Sequence, residues 1–250
     1  MASSSVFRQC AWCGPVAALF WLAFPGAAQA PEPPVVHRQL AIDVDGRPTR
    51  MHRFRIRVPQ IRPDVFDLGF ELPVSGSLRD TAFVVNGGYW EYHLGKRRMI
   101  GWVVSGGKQL SPLRAKLDGG VLLIRDGRAR IVKSSTLDPK PEGVELAVQC
   151  KPRLLENRNV IPKLNALAHS ARTAVCTRDN GSTLDVYLSD PRDRGPTLAA
   201  LGTWLAAEGC VDALNLDGGP STAAAYRTSD GLLKIGAGTT LPYAIRFATR

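Results

Sequence analysis

After its first thirty residues the sequence has no long apolar run, no internal repeat and no regular cysteine spacing. A membrane-spanning helix needs about 20 apolar residues, and even the stretch 199–207 is short and ends at Glu208. The irregular spacing of Cys150, Cys176 and Cys210 argues against a zinc cluster. The short apolar runs therefore predict no membrane span in the mature chain. No helix that could read a nucleic-acid groove is recognisable, so we also expect no nucleic-acid partner.

Glycine, proline and positive charge are abundant instead. The 250 residues include 24 Gly and 18 Pro, without a collagen-like period, which favours many turns between short elements. A hydrophobic share of 44% excludes intrinsic disorder, and the length suggests one or two domains. The net charge of +10 is compatible with nucleic acid, anionic lipid or a phosphate-bearing substrate, and composition alone does not choose among them.

Residues 1–30 have the order of a secretory signal peptide. Arg8 supplies a basic start, an apolar stretch runs from Val16 to Phe24, and small residues flank Gln29 at the end of the segment. The alternative is a buried N-terminal helix. We predict cleavage after Ala30 and an exported protein, periplasmic or secreted.

The rest of the chain divides into an N-terminal leader, residues 31–50, and one domain, residues 51–250. The leader opens with the stiff, extended stretch Pro31–Pro34. Three cysteines remain after cleavage: Cys150, Cys176 and Cys210. In an exported protein they can form one disulfide, with three pairings open and one thiol left over, or all three can be buried as small apolar side chains.

The secondary-structure signals predict an α+β fold, a sheet-dominated single domain with many short strands and few helices. One helix is indicated, with Thr197 as its N-cap and Gly209 after its last turn. The Asp126-Gly127 pair predicts a hairpin turn. The arginines of the first predicted strand, His52–Val58, form a solvated face or, alternatively, an anion-binding face. The predicted strands are His52–Val58, Thr81–Val85, Met99–Val104, Val121–Ile124, Arg128–Lys133, Val144–Gln149, Thr173–Thr177, Thr183–Leu188, Ala213–Leu216 and Tyr243–Ala248.

Two segments depart from this pattern in the first two thirds of the chain. An apolar run ends at Asn86, and Gly87 and Gly88 then let backbone N–H groups approach a ligand before the aromatic pair Tyr89-Trp90. Further on, the segment 149–155 sets an amide, an ammonium and a guanidinium close together at a strand end. Taken singly, each has a simpler alternative: an ordinary turn for the first segment and a solvent-facing basic turn for the second.

Two more segments follow. Arg172 enters an apolar strand, where it needs an anionic partner, either a ligand or a structural carboxylate. The most specific segment is 214–222, in which an apolar strand delivers Asp217 onto the Gly218-Gly219 turn, beside Ser221. A strand end is a rigid mount for a catalytic carboxylate, and glycines leave room for a substrate. A structural Asp-Gly turn is the simpler alternative.

Together these segments resemble the phosphodiester glycosidase family, which includes phosphodiester α-N-acetylglucosaminidase. The resemblance runs from about Thr81 to Phe247 and covers order and spacing as well as residue types. Three positions depart from the family pattern: Lys151, Cys176 and Pro220. The residues that carry the resemblance are Asn86-Gly87-Gly88-Tyr89-Trp90, Gln149 with Pro152-Arg153-Leu154-Leu155, Arg172-Thr173-Ala174, and Leu214-Asn215-Leu216-Asp217-Gly218-Gly219-Pro220-Ser221.

The resemblance implies cleavage of the bond between a sugar anomeric carbon and a phosphodiester oxygen. Asp217 would attack or stabilise the anomeric carbon or activate water, Arg172 would stabilise the departing phosphate, and Asn86 would orient the substrate. Glu91 is a weak candidate for a second acid, and His93 for a proton shuttle or a plain surface residue. The expected substrate-binding residues are Gly87, Gly88, Tyr89, Gln149, Arg153, Gly218, Gly219 and Ser221.

The expected protein is thus an exported hydrolase that acts on a sugar-1-phosphodiester, on an envelope or extracellular glycan. The alternative function is a non-catalytic binding module for anionic envelope glycans. No motif requires a cofactor or a metal, although Asp217 and its neighbours are compatible with a divalent cation.

Overall fold

Alternating apolar residues pair into three antiparallel sheets that share a core, as the computed structural model shows. It describes residues 33–67, 81–228, 231–236 and 241–250, so the predicted signal peptide lies outside the described residues. The strands are β1 (Val35–Val44), β2 (Arg47–Arg57), β3 (Ile61–Asp67), β4 (Thr81–Asn86), β5 (Trp90–His93), β6 (Lys96–Met99), β7 (Val103–Ser105), β8 (Lys108–Ser111), β9 (Gly120–Arg125), β10 (Arg128–Lys133), β11 (Val144–Cys150), β12 (Arg153–Glu156), β13 (Asn159–Val160), β14 (Thr173–Arg178), β15 (Thr183–Ser189), β16 (Asp212–Asn215), β17 (Ala224–Thr228), β18 (Gly231–Ile235) and β19 (Tyr243–Thr249).

The largest sheet has seven strands in the order β1-β2-β15-β14-β16-β12-β13. Two five-stranded sheets have the orders β10-β9-β11-β7-β8 and β18-β17-β4-β19-β3, and β5 pairs with β6 in a two-stranded hairpin. Apolar side chains from all three large sheets meet in one buried cluster. Phe54, Phe83 and Phe247 stack through it, with ring centroids 4.1 Å and 5.8 Å apart. The predicted sheet-dominated α+β class is confirmed.

The one α-helix in the described part of the chain, α1 (Leu198–Ala207), begins where the sequence predicts. The Thr197 side chain accepts a hydrogen bond from the Ala200 N–H and caps the helix. Leu201 and Leu205 are buried against the seven-stranded sheet. No helix in the residues described is long and apolar enough to cross a membrane.

A disulfide joins Cys176 of β14 to Cys210, which follows α1, and Cys150 is the buried free thiol. Of the alternatives that the sequence left open, one bridge with one thiol left over is therefore correct. Burial raises the pKa of the Cys150 thiol to about 12, so that thiol stays neutral and unreactive.

The predicted leader is wrong for most of its length. The compact domain starts at Pro33, and β1 pairs with β2 along its whole length, from Val35 with Ile56 to Val44 with Arg47. Val35, Ile42 and Val44 are buried, because their apolar side chains face the core across the pair. Proline at the start of the segment stiffens the entry to the strand without keeping the rest of the segment out of the sheet.

Two finer predictions also need correction. The arginines of β2 form ion pairs and not a purely solvated face: Arg55 binds the fully buried Asp185 at 2.9 Å, and Arg53 lies 3.5 Å from Glu208. The predicted strand Met99–Val104 is two strands, β6 and β7. Gly101 between them has φ +90°, which breaks the strand.

Candidate active site

The four segments singled out in the sequence meet where β4, β11 and β16 end and β14 begins. The Asn86 amide lies between two of the other segments. Its Oδ1 accepts a hydrogen bond from the Thr173 hydroxyl at 2.8 Å, and its Nδ2 donates to the Asp217 carbonyl at 2.8 Å. The Asp217 N–H donates to the Gly87 carbonyl at 3.4 Å.

The remaining segment joins through one carbonyl, that of Lys151. This oxygen accepts hydrogen bonds from the Tyr89 hydroxyl at 2.7 Å and from the Asn215 Nδ2 at 3.2 Å. Residues far apart in sequence are therefore connected by hydrogen bonds at a single site.

The Asp217 carboxyl group is partly buried at the end of β16. Burial is the main cause that raises its pKa above the ordinary value, while hydrogen bonds from Ser221 and from the Gly218 N–H favour the ionised form. The Gly218 N–H lies 2.9 Å from Oδ1. Hydrogen-bond donors thus hold the Asp217 carboxylate in a partly buried position, an environment that is typical of catalytic carboxylates.

The glycine pair after Asp217 brings the turn against the residues that precede β14. A Cβ atom at Gly218 would lie 2.8 Å from the Ala171 carbonyl oxygen, and the Gly219 N–H donates to the same oxygen at 2.7 Å. Gly219 has φ +59°, a conformation that favours glycine. Close packing of the turn on 171–172 therefore requires small residues at both positions.

Arg172 is a half-buried cation without a carboxylate partner among the residues described. Its Nε donates to the Pro196 carbonyl at 3.1 Å and its Nη2 to the Ala168 carbonyl at 2.7 Å. Burial lowers the pKa of the guanidinium, which remains charged because ordinary arginine titrates far above neutral pH. Two carbonyls orient the group while its full positive charge stays uncompensated, which is the arrangement an anionic ligand needs.

Tyr89 is near both of these groups. Its phenol interacts electrostatically with both Asp217 and Arg172, and burial raises its pKa well above the ordinary range. The backbone before it packs on Tyr243, since a Cβ atom at Gly87 would lie 2.1 Å from Cε2 of that ring. Glycine at positions 87 and 88 is therefore explained first by the packing of the Tyr243 ring against this backbone.

Asn86 is at the site but does not face a ligand. It is 1% exposed, its Nδ2 donates to the Gly87 and Asp217 carbonyls, and its Oδ1 accepts from Thr173 and from the Ala223 N–H. The amide has no donor left for a substrate. Asn86 therefore positions the backbone of Asp217, and its expected contact with the substrate needs correction.

Gln149 was expected to bind substrate, and this expectation is wrong for the same reason. It is fully buried, with Oε1 accepting from the Trp102 and Arg114 N–H groups and Nε2 donating to the Arg114 and Leu117 carbonyls. All four bonds, between 2.9 and 3.0 Å, go to backbone. Gln149 therefore fixes the backbone of the segment 102–117 through hydrogen bonds.

Arg153 has a carboxylate partner, unlike Arg172. Its Nη1 lies 2.6 Å from Glu156 Oε1, and its side chain is only 14% exposed. Arg153, expected to bind substrate, is therefore already neutralised by a carboxylate, whereas Arg172 is not. Glu91 is bound by two arginines of another cleft and His93 is exposed at the tip of β5, so neither supplies a second acid next to Asp217.

Sequence reasoning missed Tyr243 and the role of Cys150, which form the floor of the site. Both contribute to the electrostatics of the Tyr89 and Asp217 region and both are fully buried. The adjacent glycines 87 and 88 were the one available signal, because residues without a side chain let a ring pack close to the backbone. Within the described chain, no three His, Cys, Asp or Glu side chains come together as a metal site.

Comparison with solved structures finds the same fold in other proteins. The catalytic domain of zebrafish N-acetylglucosamine-1-phosphodiester alpha-N-acetylglucosaminidase, auto-inhibited by its pro-peptide, aligns with a TM-score of 0.65 and 18% identity, over 88% of this chain and 85% of that one. A hypothetical protein from Synechocystis aligns with a TM-score of 0.60 and 15% identity, over 88% and 65%. At these identities the likeness shows the fold.

Comparison with curated protein sequences finds no match. The sequence profile of the phosphodiester glycosidase (NAGPA) family, in contrast, matches residues 79–244. That range contains Asn86, Arg172 and Asp217 together with every segment that meets at the site. The chain belongs to the phosphodiester glycosidase family.

Proposed function

We propose that this protein is an exported hydrolase that cleaves the bond between a sugar anomeric carbon and a phosphodiester oxygen. One observation carries the proposal: the partly buried Asp217 carboxylate and the half-buried Arg172, which has no carboxylate partner in the described chain, both lie close enough to Tyr89 to interact electrostatically with its phenol. A carboxylate suits the positive charge that develops on the sugar, and a cation suits the negative charge that develops on the phosphate.

In the proposed reaction the C1–O bond breaks and its electron pair leaves with the phosphate. Water supplies a hydroxyl to C1, and its proton ends on the departing phosphate monoester or in solvent. The departing phosphate is a weaker base than an alkoxide, so it needs less protonation as it leaves. The positive charge of Arg172 stabilises its negative charge instead. Asp217 either attacks C1 or activates the water, with Ser221 and the Gly218 N–H holding its ionised form.

Exported location and an envelope or extracellular glycan as substrate are part of the proposal. The order of residues 1–30 supports export, and the disulfide between Cys176 and Cys210 is compatible with an oxidising compartment. N-terminal sequencing of the protein from periplasm or medium tests this, with Pro31 as the expected first residue.

The experiment that tests the activity is incubation of the mature protein with a panel of sugar-1-phosphodiesters, with released reducing sugar as the measurement. Asp217→Asn keeps the size of the side chain and removes the charge, so we expect loss of turnover by at least about 100-fold while the melting temperature stays close to wild type. Wild-type turnover in the Asn variant would remove Asp217 from the mechanism.

A non-catalytic binding module is the second candidate, because Asp217 is the one carboxylate placed at the site in the described chain, whereas most glycosidases use two. That function predicts saturable, salt-sensitive binding of anionic glycans without product release. Release of stoichiometric sugar and phosphate monoester excludes it.

A further inference from the structure

A basic cleft lies beside the candidate active site and has no part in the mechanism above. Arg97, Arg98 and Met99 of β6 line it together with the segment Leu110, Ser111, Pro112 and Arg114, and Val65 and Asp67 of β3 complete the lining. The volume is about 590 Å³, enough for more than one sugar-phosphate unit.

Arg98 and Arg114 share one carboxylate oxygen. Their Nη2 atoms lie 3.1 Å and 3.3 Å from the same atom, Glu91 Oε1. Their side chains are 45% and 46% exposed. Each guanidinium has five N–H donors, so one shared oxygen leaves most donors of both groups to solvent. With Arg97 and Asp67 also in the lining, the three arginines exceed the two carboxylates, Glu91 and Asp67, by one positive charge.

The walls of the cleft are held in place by buried contacts. Gln149 binds the backbone N–H and carbonyl of Arg114, and the Ser111 hydroxyl donates to the Met99 carbonyl at 3.0 Å. The guanidinium of Arg97 lies over the Trp90 and Tyr92 rings, 5.4 Å and 5.2 Å from their centroids. The two arginines thus project from a fixed frame, which lowers the entropic cost of binding a ligand between them.

One stretch of chain links the candidate active site to the β5–β6 hairpin that lines the cleft. Trp90 follows Tyr89 directly, and the Tyr89 carbonyl accepts a hydrogen bond from the Ile100 N–H at 2.8 Å. A glycan seated at Asp217 and Tyr89 can therefore extend along the β5–β6 hairpin.

We propose that Arg98 and Arg114 form a second anion-binding subsite, which takes a phosphate group of the glycan beyond the bond that is cleaved. The assignment of this phosphate to the substrate rests on the proposed function. Planar guanidinium groups bind phosphate oxygens in pairs, and two of them facing one opening favour a phosphate over a neutral sugar. The preferred substrate is then a polymer with several phosphates.

The test is isothermal titration of the mature protein with inorganic pyrophosphate at fixed ionic strength, in an Arg172→Gln background that removes the other proposed phosphate position. The double variant Arg98→Gln/Arg114→Gln should weaken pyrophosphate binding by about tenfold or more for each arginine lost. The matched control is Arg125→Gln/Arg128→Gln on the β9–β10 hairpin, which removes the same charge from two exposed arginines and should leave affinity within about twofold.

Equal affinity loss in the two double variants, or no saturable binding before mutation, would overturn the subsite. Thermal unfolding of each variant checks that the fold is retained. The outcome is separable from that of the proposed function. Pyrophosphate binding that depends on Arg98 and Arg114 in a protein that cleaves no sugar phosphodiester contradicts the function alone, and turnover with unaltered pyrophosphate affinity contradicts the subsite alone.

Discussion

Replacement of Arg172 by glutamine is the sharpest test of how the leaving phosphate is stabilised. Glutamine ends at the position of the arginine Nε, so it keeps a polar side chain that can still donate to the Pro196 carbonyl, 3.1 Å from Arg172 Nε, but it carries no charge. The change therefore separates the charge of the side chain from its anchoring role.

The expected size of the effect follows from the surroundings of the guanidinium. Arg172 is half-buried and, in the described part of the chain, no carboxylate neutralises it, so its full charge acts on the phosphate in a partly dry site. Removal of one preorganised donor of this kind costs about 100- to 1,000-fold in rate. Loss of the bond to the Ala168 carbonyl at 2.7 Å costs about 1 kcal/mol of stability, or about 2–4 °C in melting temperature.

The assay compares kcat/KM on a sugar-1-phosphodiester with that on an aryl glycoside of the same sugar. The Arg172→Gln loss should appear on the phosphodiester and be much smaller on the glycoside, because the latter has no phosphate. Arg153→Gln is the matched control, since Arg153 already has Glu156 as its partner at 2.6 Å. Equal losses on both substrates would refute the reasoning and make Arg172 a structural residue.

Three further outcomes are expected. Gly87→Ala puts a methyl group against Tyr243 and should cost about 1–3 kcal/mol in denaturant unfolding, with partial recovery on Tyr243→Leu; an unchanged midpoint would contradict the packing. Burial raises the Asp217 pKa above its ordinary 3.8, so kcat/KM should fall with falling pH through a midpoint above that value, whereas an acid limb at or below it opposes the assignment. Loss of the Cys176–Cys210 bridge, which spans 34 residues, should lower stability by about 4 kcal/mol, measured with and without reductant; equal stability would mean that the bridge constrains little.

The elements that could be predicted from the sequence have signals within a few residues. The Asp126-Gly127 hairpin turn and the Thr197 N-cap are of this kind, and both are where they were expected. The strand β1 was missed because its apolar alternation is irregular, and its burial depends on pairing with β2 and packing against other sheets. The residues 35–44 themselves carry no signal of β2 or of the other sheets, so tertiary contacts decide whether this segment forms a strand.

The candidate site shows the same division between place and role. The positions of the four segments follow from polar residues and glycines at strand ends, and these signals are local. The roles of Asn86, Gln149 and Arg172 depend on what each side chain contacts across the fold. Four backbone groups bind the Gln149 amide, and both amide hydrogens of Asn86 are donated to carbonyls. The charge of Arg172 is not neutralised, because the groups that hold it are carbonyls. A buried amide at a strand end is thus as well suited to fixing backbone as to binding substrate, and only a count of its hydrogen bonds tells the two apart. By that count, the chemistry of the site concentrates on Asp217 and Arg172.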